Sequence, residues 1–342
     1  MKFDLRLYVL VLGVEPLRVF LFKDGLARLA TTAYSKPTDY NMSNMQMHLT
    51  NYAINKNSMG FMKNYTAMAD FVGSKRSLKF VLRYLKKNFN ADTGKLMKEV
   101  KDLIIKTILS AQPHLAHQYR SYQLDDYENS LCFEVLGFDI MLDEKFKPYL
   151  LEVNHAPSFA TDSPLDEKIK GQVIYDTLNL LGLSQKRKRN YKISNKLRMD
   201  LRRMSTKKAN LPIVLREQLR KDFDELRNQY EFRNKGMYDM IYPILDEITL
   251  DPVEDEMRPY LTMLDWITRE YCKKNHIKPP VPLEKLKKLE TQQLQEQKQR
   301  GSAATSAWGK GGNQGLASGS HQPTHGKSTT EASVKLKQNH SH

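Results

Sequence analysis

Runs of apolar residues dominate the first part of the chain and predict β-strands there. LRLYVLVL, residues 5–12, is continuous enough to form a buried strand, and RVFLF at residues 18–22 follows it across the turn GVEP. KDG at residues 23–25 is typical of a further turn. These runs therefore predict a meander of neighbouring antiparallel strands.

The apolar spacing then changes to that of helices at residues 74–89 and 95–110. In the second segment the apolar positions fall on one helical face, at Leu96, Val100, Leu103, Ile104 and Ile108. Ser163 as N-cap and Pro164 in the first turn predict another helix, which ends near Gly182. Strands and helices in this order predict an α+β fold, with functional residues on the sheet and helices covering its back.

The candidate chemistry is concentrated in residues 132–158, CFEVLGFDIMLDEKFKPYLLEVNHAPS. The polar segment DEKFKP separates two apolar runs and predicts a hairpin, in which Asp139 lies opposite Leu151 or Glu152. Because side chains alternate along a strand, Glu152 and Asn154 share one face, and Asp139 can join them. Three oxygen ligands suit a magnesium ion that keeps waters and nucleotide phosphates. An acidic hairpin by itself would more often be only a solvated surface.

Four motifs resemble the tubulin tyrosine ligase-like family, and its polyglutamylases in particular. LEVNHAPSF matches the family's signature, and KFDLR with the strand LYVLV, FLFKDGLAR and HLTNYAINK precede it in the family's order. The resemblance runs from residue 2 to about residue 183 and favours the magnesium interpretation of the hairpin. It implies a partial ATP-grasp, glutathione synthetase-like core with an antiparallel sheet and covering helices.

The resemblance also implies a reaction, ATP-dependent amide bond formation. A glutamate carboxylate of the tubulin tail would become an acyl-phosphate, and the amine of an incoming glutamate would displace the phosphate. The residues at the family's functional positions form four groups. The magnesium ligands are Asp139, Glu152 and Asn154; the nucleotide contacts are Lys2, Asp4, Thr50 and Asn51; the residue that steadies the transferred phosphate is Arg6; and the amino-acid pocket contains Arg28, Lys75 and His155.

The residues beyond the resemblance differ in character. Residues 184–282 are predicted to form a basic helical, microtubule-binding region, because residues 186–208 carry eleven Lys or Arg against a single acid. Such a run could be only a solvated linker or a nuclear-localisation-like patch, but beside a ligase core it would attract an acidic polymer. Apolar stripes in residues 215–230 and 257–271 predict helices that face a core. Residues 283–342, rich in Lys and Gln and then in Gly and Ser, predict a disordered tail.

The formal net charge of +15 agrees with acidic partners. The predicted cofactors are ATP and Mg²⁺, and the predicted partners are free L-glutamate and tubulin or microtubules, bound through their acidic C-terminal tails. Neither a membrane nor a nucleic acid is expected as a partner. The expected location is the cytoplasm and cytoskeleton, including the cilium or basal body. The alternatives are a noncatalytic microtubule-binding fragment and a family member that ligates glycine or modifies another acidic substrate.

One departure from the family concerns the beginning of the chain. The family's core starts upstream of its KFD motif with a smaller lobe, whereas KFD occupies residues 2–4 here. The sequence therefore predicts that residues 1–183 are the C-terminal part of the catalytic domain, and inactivity of this chain by itself is one expectation. This departure has three explanations: a truncated gene model, a short isoform or a catalytically silent paralogue. The intact ligand triad favours truncation.

Overall fold

A computed structural model describes residues 1–66, 72–122, 132–185 and 213–279, with isolated positions between residues 186 and 295. Within this part of the chain, Met1–Leu283 contains a mixed α/β fold built on an open antiparallel sheet. No helix among the described residues is both long enough and apolar enough to cross a bilayer.

Two of the predicted features lie mostly outside the described residues. The basic segment 186–208 is described only at isolated positions, and the predicted tail, residues 283–342, only at a few of its first residues. The division of the chain into regions ending at residues 183 and 282 stays a prediction.

The sheet has six strands in the order β3-β2-β1-β4-β5, with β6 also paired to β2. All of the pairings are antiparallel. The strands are β1 Phe3–Val14, β2 Leu17–Leu29, β3 Lys75–Ser77, β4 Glu134–Leu142, β5 Pro148–Asn154 and β6 Tyr238–Tyr242. The two predicted N-terminal strands and the predicted hairpin are therefore confirmed.

The predicted turn at KDG is wrong, because β2 continues through these residues. One edge of β2 pairs with β6 at Val19–Phe22 and then with β3 at Leu26–Arg28. The pairing with β1 is irregular between the two stretches, and there the Asp24 carboxylate accepts the backbone N–H groups of Gly25 and Lys79. KDG is thus an irregularity inside one long strand: the Lys23 N–H donates to the carbonyl oxygen of Met237, and the Gly25 N–H donates to the Asp24 carboxylate.

The helices are α1 Met45–His48, α2 Tyr52–Asn55, α3 Leu78–Phe89, α4 Thr93–Tyr122, α5 Pro164–Leu181, α6 Ile213–Asn234 and α7 Glu254–Lys274. The helix predicted over residues 74–89 begins only at Leu78, because its first residues form β3. The predicted boundaries of α5 are confirmed: Ser163 Oγ accepts from the backbone N–H of Asp166, and Gly182 ends the helix with φ +59°.

The two faces of the sheet are covered differently. Odd-numbered residues of β1, such as Leu7 and Val9, pack with α3, α4 and α7 on the back. Even-numbered residues, such as Tyr8 and Leu10, pack with α5 on the opposite face, called here the site face. Helices thus cover the back of the sheet as predicted, while α5 covers only part of the site face, toward the Leu10 end of β1.

Over residues 221–234, the part of α6 whose side chains the structure describes, the buried side is polar, so the predicted apolar stripe is wrong at the C-terminal end of this helix. Leu226 is 66% exposed and Tyr230 is 41% exposed. Glu231 is buried instead, and its carboxylate accepts from Arg18 of β2 and from Arg227, both at 2.7 Å. Arg18 is itself buried in the sheet and needs an acidic partner, which α6 supplies.

The stripe predicted on α7 is confirmed in part. Met257 is buried and Leu264 packs against the core on the back of the sheet, but Leu261 is half exposed. Only one edge of the predicted stripe therefore faces the sheet, and the rest of the helix lies at the surface.

Gly236 lies in the turn before β6, where it has φ +51° and a Cβ atom would meet the Asp176 carboxylate. Gly236→Ala is therefore expected to lower the free energy of unfolding by at least about 1–2 kcal/mol, from the left-handed backbone alone. Gly171→Ala is the matched control, since this exposed glycine of α5 has nothing near its Cβ position, and it should raise stability by about 0.5–1 kcal/mol. Urea unfolding measures the free energy of unfolding of both variants. Equal changes in the two variants would contradict the prediction.

Candidate functional site

Four charged side chains from three strands alternate in sign on the site face. The strand register pairs Asp4 with Arg28 and Arg6 with Asp139, so the four side chains share this face. Arg6 donates to both oxygens of the Asp139 carboxylate, with Nη2 at 2.8 Å from Oδ2. Arg28 donates to Asp4 and also lies 2.8 Å from Asp139 Oδ2. The Asp139 carboxylate is therefore paired with two guanidinium groups.

The pairing favours the charged forms of Asp139 and Arg28. Burial raises the pKa of Asp139, but the hydrogen bonds from Arg6 and the charge of Arg28 outweigh burial and hold that pKa below its ordinary value. Burial lowers the pKa of Arg28, but Asp4 and Asp139 outweigh it and raise that pKa. The stability contributed by Asp139 is therefore present above the unfolded value of about pH 4 and is lost as pH falls through the folded pKa.

The predicted metal ligands meet at the hairpin of β4 and β5. Ile140 pairs with Leu150, whereas Asp139 pairs with Glu152, so Leu151 is an extra residue that shifts the register. Of the two residues predicted opposite Asp139, the structure selects Glu152. Asn154 lies on the same face, with its Nδ2 atom 3.0 Å from Glu152 Oε1 and 3.5 Å from Asp139 Oδ2.

The composition of this triad fits a magnesium ion. A carboxylate offers about four lone-pair positions, so Asp139 keeps acceptor capacity beyond its contacts with Arg6 and Arg28. Rotating the Asn154 amide would present its oxygen between the two carboxylates, giving the hard oxygen ligands that Mg²⁺ prefers. The Asn154 amide is needed as the third ligand, because no group of three His, Cys, Asp or Glu residues in the described ranges could hold a metal ion.

The remaining predicted residues are placed less closely together. Lys2 precedes β1, Thr50 is buried, Asn51 precedes α2, and His155 is exposed directly after Asn154. Within the described part of the chain, these side chains have no hydrogen bond or ion pair to the charged cluster. The sheet thus brings together Asp4, Arg6, Arg28, Asp139, Glu152 and Asn154, and their roles stay predictions.

Lys75 lies beside the charged cluster but is already paired. It is opposite Arg28 in the register of β2 and β3, on the site face. Its Nζ atom is 2.7 Å from Asp166 Oδ2 and 4.1 Å from the centre of the Tyr52 ring. The Lys75 ammonium is therefore held from two sides, which its position in the sequence does not reveal.

Two residues beside the charged side chains were missed by the sequence interpretation. Asp166 was not singled out in the sequence, yet it is fully buried between Lys75 and Lys170. Gly137 of β4 was not singled out, although a Cβ atom there would lie 2.9 Å from Pro157 Cβ and 3.3 Å from Arg6 Cδ. Its missing side chain lets Arg6 lie across β4; the only signal in the sequence is a glycine inside a strand pattern.

Together these features define a mixed α/β protein with an open antiparallel sheet, one face of which carries a cluster of paired charges. The tubulin-tyrosine ligase family model matches residues 1–190, and the chain belongs to this family. The family predicted from LEVNHAPSF and its companion motifs is thereby confirmed.

Several curated relatives carry names that state an activity. The chain is 45% identical over 248 residues to the probable beta-tubulin polyglutamylase of Tetrahymena thermophila, covering 72% of this chain and 21% of the relative. It is 44% identical over 249 residues to tubulin polyglutamylase TTLL6 of Mus musculus, covering 72% and 29%. It is 38% identical over 275 residues to tubulin polyglutamylase TTLL7 of Homo sapiens, covering 74% and 31%. The chain spans less than a third of the length of each of these relatives.

Proposed function

We propose that this protein is an ATP-dependent ligase that adds glutamate to glutamate side chains of the tubulin C-terminal tail. The observation that carries the proposal is the strand register, which gathers Arg6, Arg28, Asp139 and Glu152 on one open face of a sheet in this family. The names of the relatives support tubulin as the substrate. The site face would form one wall of an ATP-grasp nucleotide site.

The proposed reaction has two steps. A tail carboxylate accepts the γ-phosphoryl group of ATP, giving an acyl-phosphate and ADP. The amine of free glutamate then attacks the acyl carbon, phosphate leaves, the amine loses a proton and an amide bond forms. Both steps gather negative charge, which preorganised cations stabilise best when they need not move during the reaction.

The residues that the sheet brings together on the site face have different roles in the proposed reaction. Asp139, Glu152 and Asn154 would hold magnesium, which neutralises phosphate charge when it is bound. Arg6, fixed against Asp139, presents the same guanidinium to the transferred phosphate. Arg28 offers a planar fork to the carboxylate of the incoming glutamate.

The other predicted residues lie around this cluster in the proposal. Lys2, Asp4, Thr50 and Asn51 are assigned to the nucleotide, and Lys75 and His155 to the donor pocket. The proposed regions are a catalytic part at residues 1–183, a microtubule-binding part at residues 184–282 and a tail at residues 283–342. The proposed location is the cytoskeleton, including the cilium or basal body.

Incubation of the full chain with ATP, magnesium, microtubules and labelled glutamate or glycine tests this function. Mass spectrometry of the tubulin tails should show ATP-dependent addition of glutamate but not of glycine. Addition of glycine would instead support a glycine-ligating member of the family. Microtubule binding without any addition would support the noncatalytic alternative.

The noncatalytic alternative is favoured by one observation, the eleven-to-one excess of basic residues in residues 186–208. If this segment binds the acidic microtubule surface, cosedimentation should weaken with salt, since the screening length falls from about 10 Å at 0.1 M to about 3 Å at 1 M. Charge reversal at four arginines of the segment should weaken binding similarly, whereas reversal of two exposed lysines of α3 should not. The arginines are Arg187, Arg189, Arg202 and Arg203, and the control lysines are Lys86 and Lys87. Binding indifferent to salt and to the arginine changes would point to apolar contacts.

Gly137→Ala is expected to lower glutamate incorporation by about a hundredfold, the cost of a displacement near 1 Å in a catalytic geometry. The added methyl group would press on Arg6 and on Pro157, which follows the metal ligands. Steady-state incorporation measures the loss, and circular dichroism reports whether the sheet persists. Unchanged incorporation in the folded variant would mean that Arg6 need not lie across β4.

A further inference from the structure

We infer that Asp166 is a positioning residue of the donor pocket, holding Lys75 and the chain after the metal ligands in a fixed relation. The inference rests on the proposed function and assigns a role to a residue that the family motifs did not single out. Asp166 lies in the first turn of α5, the helix that packs on part of the site face.

The Asp166 carboxylate joins several segments. It accepts from Lys75 Nζ at 2.7 Å and from Ser163 Oγ at 2.7 Å, and it lies 3.1 Å from Lys170 Nζ. Lys170 also donates to the carbonyl oxygen of Ala160. The segment between His155 and the start of α5 is thus tied through one carboxylate to β3.

Lys75 connects the same carboxylate to the predicted nucleotide side of the site. Its ammonium lies over the ring of Tyr52, which directly follows Asn51 in the chain. Lys75 is also opposite Arg28 across β2 and β3. Asp166 therefore fixes a cation next to the guanidinium assigned to the donor carboxylate.

An ordinary capping role does not account for this arrangement. Ser163 already accepts the backbone N–H of Asp166, and the neighbouring acid Glu167 faces solvent. Asp166 is instead completely buried, and burial raises its pKa, but Lys75 and Ser163 outweigh burial and lower it. Two lysines against one carboxylate leave one net positive charge, the sign that a carboxylate-bearing donor requires.

The effect of Asp166 on Lys75 can be measured without any catalysis. In the full chain, Asp166→Asn should raise the rate at which an acylating reagent modifies Lys75 by about tenfold, because the buried ammonium loses its charged partner. Asp176→Asn is the matched control, since Asp176 is equally buried on α5 but accepts the backbone N–H of Met237 at 2.9 Å. Peptide mapping of the two variants and the unchanged protein gives the rates. A Lys75 rate equal in Asp166→Asn and Asp176→Asn would overturn the inference.

The catalytic consequence is tested by kinetics. Asp166→Asn should raise the KM for glutamate by about tenfold and change the KM for ATP by less than about twofold, and Asp176→Asn should change neither. If Asp166 acts through Lys75, the double variant with Lys75→Met should have the glutamate KM of Lys75→Met alone. The inference would be overturned if the two substitutions raised the glutamate KM multiplicatively in the double variant, or if Asp166→Asn raised the KM values for glutamate and ATP equally. Absence of glutamate transfer by the unchanged protein would refute the proposed function, while the labelling rates would still decide the role of Asp166.

Discussion

Glu152→Gln is expected to reduce glutamate incorporation by about a hundredfold or more, because it removes one of two carboxylates assigned to the metal. The Glu152 side chain is exposed, so its neutralisation should leave the free energy of unfolding nearly unchanged. The measurements are incorporation of labelled glutamate into tubulin and cosedimentation with microtubules, which should stay normal.

Glu144→Gln is the control for this prediction, because Glu144 is an exposed acid in the turn between β4 and β5. It changes the same charge in the same hairpin but lies away from Asp139. Full glutamate incorporation by Glu152→Gln, or an equal loss of incorporation in both variants, would contradict the assignment of Glu152 as a metal ligand.

Arg28→Ala is expected to raise the KM for glutamate strongly, by the roughly 2–5 kcal/mol that a desolvated charge partner contributes. The KM for ATP should change little, because the proposal assigns Arg28 to the donor and not to the nucleotide. Initial rates over a range of each substrate separate the two constants. A raised KM for ATP with unchanged glutamate saturation would reassign Arg28 to the nucleotide.

The contacts of Arg28 make a second variant necessary. Asp4 is 1% exposed and is paired with Arg28. Arg28→Ala would therefore leave the buried Asp4 carboxylate without its cation, which would lower the free energy of unfolding by about 3–5 kcal/mol. Arg28→Lys keeps the charge but removes the bidentate fork. It should therefore fold and still raise the KM for glutamate; a lysine variant with normal kinetics would show that charge alone is sufficient.

Regular periodicity made the sheet and the hairpin predictable from sequence. Alternation along β4 and β5 placed Asp139, Glu152 and Asn154 on one face, as the structure has them. The register itself stayed ambiguous by one residue, because nothing in the amino-acid sequence identifies Leu151 as the extra residue of a β-bulge. The irregularity inside β2 was read as a turn for the same reason.

Partners distant in sequence explain the other differences. Asp166 and Lys75 are far apart in the chain, and neither residue shows by itself that both will be buried. The stripe on α6 was misread because helical periodicity takes no account of a buried arginine elsewhere. Arg18 selects the polar side of α6, and its partner Glu231 belongs to a helix that follows the basic segment.

The division of one edge of β2 between β3 and β6 has a consequence for synthesis of the protein on the ribosome. Val19–Phe22 are made early, but their partner strand, Tyr238–Tyr242, leaves the ribosome only after the family motifs and the basic segment. Until then this stretch of β2 presents unpaired N–H and C=O groups to other nascent chains. Completion of the sheet is therefore a late event in translation, and substitutions that slow the arrival or pairing of β6 should lower the yield of soluble protein even where they lie far from the charged residues of the site face.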